Sequence, residues 1–130
     1  MSQVAGEILI VDDEGALLKL MSVYLGRLGY ATTAANTMAK AWEHVKREPE
    51  RFAVVVLDAG MAETGIDDLA LQLLAAYPRL RVVVASGYPV DMSVLEQAAP
   101  HRVEFLHKPF SPDMLVTALR RMLGAEEKEV

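Results

Sequence analysis

An unbroken apolar run that stops at acids constrains the fold of this chain more than any other stretch. Residues 8–11 (Ile-Leu-Ile-Val) are all branched or long apolar residues, and Asp12, Asp13 and Glu14 follow directly. A short run without a polar interruption favours a strand buried on both faces over an amphipathic helix. In sheets of such strands, ligands bind at the carboxyl ends. The run therefore predicts an α/β fold with a functional site where the acids lie.

Apolar runs of the same kind recur along the chain and alternate with segments of helical spacing. The predicted strands cover residues 8–11, 30–34, 52–57, 81–85 and 103–107. The predicted helices cover residues 14–28, 36–48, a segment that carries Leu69 and ends before Pro78, a segment within 91–99, and a last segment that Ser111 caps and Gly124 ends. Five strands that alternate with five helices predict a parallel sheet with helices on both faces.

Composition bounds the possible functions. A chain of 130 residues with 52% hydrophobic content predicts a single domain, with a core over residues 7–124 and a charged tail over 125–130. The net charge of −5 argues against a DNA-binding surface, and the absence of cysteine excludes disulfides and thiolate metal sites. No apolar stretch reaches the length of a membrane span and no signal peptide is present, so we expect a soluble cytoplasmic protein with no membrane partner.

Polar residues end four of the five predicted strands and should converge, because the carboxyl ends of parallel strands lie at one edge of the sheet. They are Asp12, Asp13, Asp58, Ser86 and Lys108. Adjacent buried carboxylates need a neutralising charge, and Mg²⁺ prefers such oxygen ligands. The Asp58 carboxylate can attack phosphorus to form an acyl phosphate. Mg²⁺, the Ser86 hydroxyl and the Lys108 ammonium are suited to binding the phosphoryl oxygens.

Several of these residues also have a simpler interpretation. Asp13 or Glu14 can cap the next helix, and Ser86 can hydrogen-bond backbone in a turn. His107 is next to Lys108, but neighbouring residues of a strand face opposite sides of the sheet, so we assign it no catalytic role.

The set Asp12-Asp13, Asp58, Ser86 and Lys108-Pro109-Phe110, in this order on five βα units, resembles the receiver domain of bacterial response regulators. The resemblance extends from residue 7 to residue 123, and the residues around Ser86 and Lys108 are similar to those of receivers attached to hybrid sensor kinases. It implies a flavodoxin-like fold with strand order 2-1-3-4-5. It also implies a phosphorylation-dependent switch of a two-component phosphorelay.

The resemblance implies a role for each site residue. Asp58 is the implied phosphoacceptor, and the implied ligands of Mg²⁺, for which Mn²⁺ would substitute, are Asp13 directly, Asp12 through water, Asp58 and the Gly60 carbonyl. The implied phosphate-binding and switch residues are Ser86, Gly87, Lys108 and the aromatic Phe105, with a cis peptide bond between Lys108 and Pro109 and with Met61 and Tyr88 at the mouth of the site.

The implied phosphodonor is a sensor histidine kinase or a phosphotransfer domain, and the implied target is a downstream protein. A homodimer through the fourth helix, the fifth strand and the fifth helix is a further expectation.

The chain departs from the family pattern after Asp58, where Met61-Ala62 replaces the usual Met-Pro and Gly65 comes one residue early. We therefore expect the loop over residues 60–67 to be reshaped or more mobile.

Two other functions are compatible with the sequence. A Mg²⁺ phosphotransferase of the haloacid dehalogenase type also uses a nucleophilic Asp, but its second Asp is replaced here by Gly60, so no turnover of external substrates is expected. A degenerate receiver would bind partners without phosphorylation; the complete set of site residues argues against it, and the altered loop after Asp58 leaves it open. Both a stand-alone receiver and a segment of a longer chain fit the sequence.

Overall fold

A computed structural model describes residues 6–61 and 66–127, and within these ranges five strands alternate with five α-helices. The strands are β1 (Glu7–Val11), β2 (Thr32–Ala35), β3 (Phe52–Asp58), β4 (Arg81–Ser86) and β5 (Val103–His107). The helices are α1 (Gly15–Arg27), α2 (Met38–Arg47), α3 (Ile66–Ala76), α4 (Ser93–Ala98) and α5 (Pro112–Glu127). A single 3-10 turn, Ala59–Met61, follows β3.

The strands form one parallel sheet in the order β2-β1-β3-β4-β5, which confirms the predicted fold class. The register aligns the strand ends: Val11 of β1 pairs with Leu57 of β3, and Asp58 pairs with Ala85 of β4. Because β1 lies between β2 and β3, the chain crosses to opposite faces of the sheet on either side of β1. The carboxyl ends of β1 and β3 therefore face the crevice where open α/β sheets bind ligands.

Alternate residues of the central strands enter two separate cores. Ile8 and Ile10 of β1 pack with α1 and α5, whereas Leu9 and Val11 pack with α2, α3 and α4. All four side chains are at most 1% exposed. Burying one such side chain contributes about 1.5–3 kcal/mol, which explains why positions 8–11 of β1 are all apolar.

The loop after α1 shows why the second strand begins later than predicted. Gly29 adopts a left-handed conformation with φ of 96°, and its N–H donates to the Gly26 carbonyl. The Tyr30 N–H donates to the Leu25 carbonyl at 3.0 Å. These two bonds form a Schellman motif, which assigns Tyr30 to the end of the helix. Strand β2 consequently starts at Thr32.

The last helix is longer than predicted. Ser111 caps it as expected, since its Oγ accepts from the Met114 N–H at 3.1 Å. Gly124 does not end it: α5 continues to Glu127, so residues 125–127 do not belong to a frayed tail. A glycine inside a helix costs about 1 kcal/mol relative to alanine, and the good helix formers Ala125, Glu126 and Glu127 follow it. Residues 128–130 lie outside the described ranges.

The prediction of a reshaped or mobile loop concerns residues 60–67, of which 62–65 lie outside the described ranges. Over the part of the chain that the structure describes, no helix combines the length and apolar character needed to cross a membrane.

Candidate functional site

Three carboxylates meet at the carboxyl ends of β1 and β3. Asp12 and Asp13 follow β1 directly, and Asp58 is the last residue of β3; one carboxylate oxygen of each lies within 4.8 Å of the others. Asp12 and Asp58 are buried, with 3% and 9% of their surface exposed, whereas Asp13 is exposed. Like charges this close repel unless a cation neutralises them. Oxygen ligands from carboxylates suit a hard divalent cation such as Mg²⁺.

Lys108 supplies a positive charge to this cluster. It follows β5, and its Nζ lies 3.1 Å from Asp12 Oδ2 and 3.3 Å from Asp58 Oδ1. Burial alone lowers the pKa of Lys108, but its hydrogen bonds and charge attraction to Asp12 and Asp58 outweigh this effect and raise the pKa above its ordinary value. In formal charges, three carboxylates and one ammonium leave two negative charges, and this excess matches the charge of a divalent cation.

Two backbone N–H groups orient the buried carboxylates. The Glu14 N–H donates to Asp12 Oδ1 at 3.0 Å, and the Gly60 N–H donates to Asp58 Oδ1 at 3.0 Å. Glu14 occupies the cap position of α1, but its side chain makes no capping hydrogen bond. Its contribution to the site is therefore its backbone N–H, which our sequence analysis missed. An Asp followed two residues later by a free N–H is a turn pattern that could have revealed it.

Ser86 adopts the turn interaction considered from the sequence. It is buried at the end of β4, and its Oγ accepts from the Tyr88 N–H at 3.0 Å. A hydroxyl that accepts this bond still has its own proton to donate. A β-carbon added to Gly87, the residue between them, would meet no atom within 4 Å, so the backbone here borders open space. Tyr88 is 81% exposed.

An open cleft of about 550 Å³ lies beside Lys108, and its walls include Glu14, Gly87, Tyr88, Pro109 and Phe110. The Lys108–Pro109 peptide bond is cis. A larger depression, of about 650 Å³, lies at the opposite edge of the sheet, where Phe52 and Arg81 begin their strands. It shares no residue with the carboxylate cluster, so cavity volume alone would misplace the site.

Phe105 and Met61, both predicted for the site, lie outside the carboxylate cluster. Phe105 of β5 is half-buried and packs against the core on the side of α2, α3 and α4, and Met61 packs against the same core. The Phe105 ring also meets the His107 ring, with centroids 6.2 Å apart and planes at 82°. The structure thus brings together Asp12, Asp13, Asp58, Gly60 and Lys108. Phe105 lies on the face of the sheet that packs against α2, α3 and α4.

The chain is similar to known proteins in both sequence and fold. The family described as response regulator receiver domain matches residues 8–120. The chain is 30% identical over 122 residues to the alginate biosynthesis transcriptional regulatory protein AlgB of Pseudomonas putida; the match covers 94% of this chain and 27% of AlgB. It is 27% identical over 118 residues to the response regulator receiver protein CpdR of Brucella abortus, and this match covers 91% of this chain and 97% of CpdR.

A solved structure of a receiver domain protein has the same fold. The response regulator receiver domain protein (CheY-like) of Methanospirillum hungatei superposes with a TM-score of 0.82 at 25% identity, and the match covers 99% of this chain and 100% of that one.

Proposed function

Because this chain belongs to the response regulator receiver domain family, we propose that it is a phosphorylation-dependent switch of a two-component phosphorelay with Asp58 as the phosphoacceptor. The observation that carries this proposal is the contact of one lysine with two buried carboxylates at the ends of neighbouring strands. Such a set of charges is suited to holding a phosphoryl group and the metal that accompanies it.

The geometry distinguishes the two oxygens of Asp58. The Gly60 N–H and the Lys108 ammonium both contact Oδ1. Among the residues whose side chains the structure describes (6–61 and 69–123), the contacts made with Asp58 all involve Oδ1. We therefore assign the attack on phosphorus to Oδ2, which keeps its lone pairs available. A P–O bond forms, the P–N bond of a phosphohistidine breaks, and its electron pair stays on the imidazole nitrogen.

The residues suited to hold Mg²⁺ are Asp12, Asp13, Asp58 and the Gly60 carbonyl. When bound, the metal would neutralise the excess negative charge and withdraw electron density from the phosphoryl oxygens. Lys108 then holds its ammonium against the transferred group, and its raised pKa keeps it protonated at neutral pH. The Ser86 hydroxyl, whose proton is not used by Tyr88, donates to another phosphoryl oxygen.

We propose that Ser86 and Phe105 pass the signal from the phosphate to the surface. Movement of Ser86 toward the phosphate would open space beside it, and Phe105 would rotate into that space and change the surface formed by α4, β5 and α5. A local charge event that biases a two-state element is a recurrent switching design. Shielding of the acyl phosphate by Tyr88 stays a prediction.

The proposed phosphodonor is a sensor histidine kinase or a phosphotransfer domain, and the proposed target is a downstream protein or a second copy that binds the surface of α4, β5 and α5. The chain spans 27% of AlgB but 97% of CpdR, so both a long regulator and a single-domain protein offer a context for it. The hybrid sensor kinase type stays a prediction. Turnover of external phosphoesters is not part of the proposal, because Gly60 offers only backbone groups where haloacid dehalogenases carry an acid.

The proposal is tested by incubating the protein with Mg²⁺ and acetyl phosphate and measuring its intact mass. We expect the wild type to gain one phosphoryl group. It should gain none when Mg²⁺ is chelated, and Asp58→Asn should gain none. Asp113→Asn, at the exposed start of α5, is the matched control and should label like the wild type. Equal labelling of Asp58→Asn would refute the assignment. A partner affinity that changes neither with Mg²⁺ nor in Asp58→Asn would favour the phosphorylation-independent binding module.

A further inference from the structure

His107 lies next to both residues of the proposed switch, Ser86 and Phe105. It is the last residue of β5 and pairs in register with Ser86, the last residue of β4; Val84 and Phe105 form the pair two residues earlier. Paired residues of neighbouring strands lie side by side, and residues two apart share a face of the sheet. The register therefore places Ser86, His107 and Phe105 on one face, as direct neighbours across and along the strands.

A ring contact joins two of these three residues. The His107 and Phe105 rings meet edge to face, with centroids 6.2 Å apart and planes at 82°, a geometry that favours aromatic pairs. Phe105 is half-buried, whereas His107 is exposed. The imidazole is thus exposed to solvent beside the half-buried ring of Phe105.

A backbone hydrogen bond connects the same position to Ser86. The Ser86 carbonyl accepts from the Lys108 N–H at 2.8 Å, directly after His107. A displacement of the Ser86 backbone toward a phosphoryl group would move this carbonyl, and the hydrogen bond would carry the movement to the end of β5. The ring of His107 would then shift relative to that of Phe105, two residues back along the strand.

We propose that His107 is a positioning residue, which holds Phe105 in its half-buried position until Ser86 moves toward a phosphoryl group. This inference rests on the proposed function, in which Ser86 moves and Phe105 rotates. Removing the imidazole removes the edge-to-face contact in the resting state. We expect the fraction of protein with Phe105 rotated to rise by about twofold to tenfold in the absence of phosphate, the range that corresponds to one aromatic pair.

Fluorine NMR of fluorophenylalanine-labelled protein measures this fraction. The chain has three phenylalanines, so the spectrum has three resonances, and Phe105→Leu identifies the one of interest. Beryllofluoride with Mg²⁺ serves as the phosphoryl mimic and marks the shift of the rotated state. We expect the resting resonance of Phe105 in His107→Ala to move toward that position, and His107→Tyr, which keeps an aromatic edge without adding a labelled ring, to restore the wild-type shift.

The matched control is His44→Ala. His44 contacts Phe52 in a similar geometry, with centroids 6.2 Å apart and planes at 74°. Its removal should shift the resonance of Phe52 and leave that of Phe105 in place.

The outcomes separate this inference from the proposed function. If beryllofluoride leaves the Phe105 resonance of the wild type unmoved, the proposed switch fails. If that resonance responds in the wild type but His107→Ala matches the wild type at rest, only the role of His107 is refuted. A resting shift in His107→Tyr as large as that in His107→Ala would also refute it, because the aromatic contact would then not be the cause.

Discussion

At the amino ends of the strands, which we call the rear edge, Glu7 contacts Arg51 through two hydrogen bonds. At the carboxyl ends, the front edge, Asp12 and Asp58 share a single lysine. The Arg51 Nε lies 2.8 Å from Glu7 Oε1, and its Nη2 lies 3.0 Å from Oε2. At the same rear edge, Arg102 donates to the carbonyls of three residues: Leu74, Tyr77 and Leu80. Glu7, Arg51 and Arg102 thus each have hydrogen-bond partners suited to them. The front edge keeps an excess of negative charge.

This difference separates stability from function. Bidentate and multiply bonded guanidinium groups are satisfied in the folded protein and contribute to its stability. Carboxylates held together without enough positive charge oppose folding and are retained for what they bind. Substitutions at the rear edge should therefore lower stability and spare phosphoryl transfer, and those at the front edge should do the reverse.

The largest expected effect is at the front edge. Asp58→Asn should lose phosphoryl labelling completely, because the amide cannot attack phosphorus. Its free energy of unfolding should be unchanged or higher by about 1 kcal/mol, since the relief of repulsion from Asp12 and Asp13 offsets the lost contact with Lys108. Urea denaturation without Mg²⁺ measures this. A marked loss of stability would show that the front edge is also a structural ion pair, and the comparison of the two edges would break down.

The next largest effect is at the rear edge. Arg102→Ala leaves the carbonyls at the end of α3 and the start of β4 without their donor, and we expect a loss of about 2 kcal/mol in the free energy of unfolding. Arg102→Lys keeps the charge but lacks the planar fork, so it should recover only part of this loss. Labelling of Asp58 in the folded variants should equal that of the wild type. If labelling fell in proportion to stability, the two edges would not be independent.

A smaller effect tests the Glu7–Arg51 pair through pH. The hydrogen bond from Arg51 holds the pKa of Glu7 below its ordinary value of 4.5, against the opposing effect of burial. A carboxyl with a lowered pKa in the folded state contributes stability above its unfolded pKa and loses it as the pH falls through the folded pKa. Glu7→Gln should thus lower the urea midpoint at pH 7, by roughly half as much as Arg102→Ala. The difference from the wild type should shrink steadily below pH 4.5. A difference that is constant with pH would mean that the pair acts through shape and not through charge.

The front edge could be predicted from the sequence, and the rear edge could not. Asp12, Asp58 and Lys108 each end a strand, and parallel topology alone brings strand ends together. Glu7 and Arg51 begin their strands or lie beside them, and no local pattern pairs two residues 44 positions apart. The backbone hydrogen bonds to Asp12 and Asp58 were also missed, because they depend on loop conformations. The extension of α5 beyond Gly124 was missed because its neighbours' helix propensity outweighs one glycine.

The smallest expected effect compares a glycine of each edge. Gly29 at the rear has φ of 96°, which an L side chain adopts only with strain, so Gly29→Ala should destabilise the protein by about 1 kcal/mol. Gly87 at the front has no such φ, and a β-carbon there meets no atom within 4 Å. Gly87→Ala should stabilise it by about 0.5 kcal/mol, because alanine loses less conformational entropy on folding. Urea midpoints of the two variants measure both effects. Neither new methyl group meets a neighbour within 4 Å, so changes in stability of opposite sign would come from the backbone. The turn at Gly29 needs glycine for its conformation. The loop at Gly87 has glycine where the site opens to solvent. A destabilising Gly87→Ala would instead show that the loop at Gly87 is as constrained as the turn at Gly29.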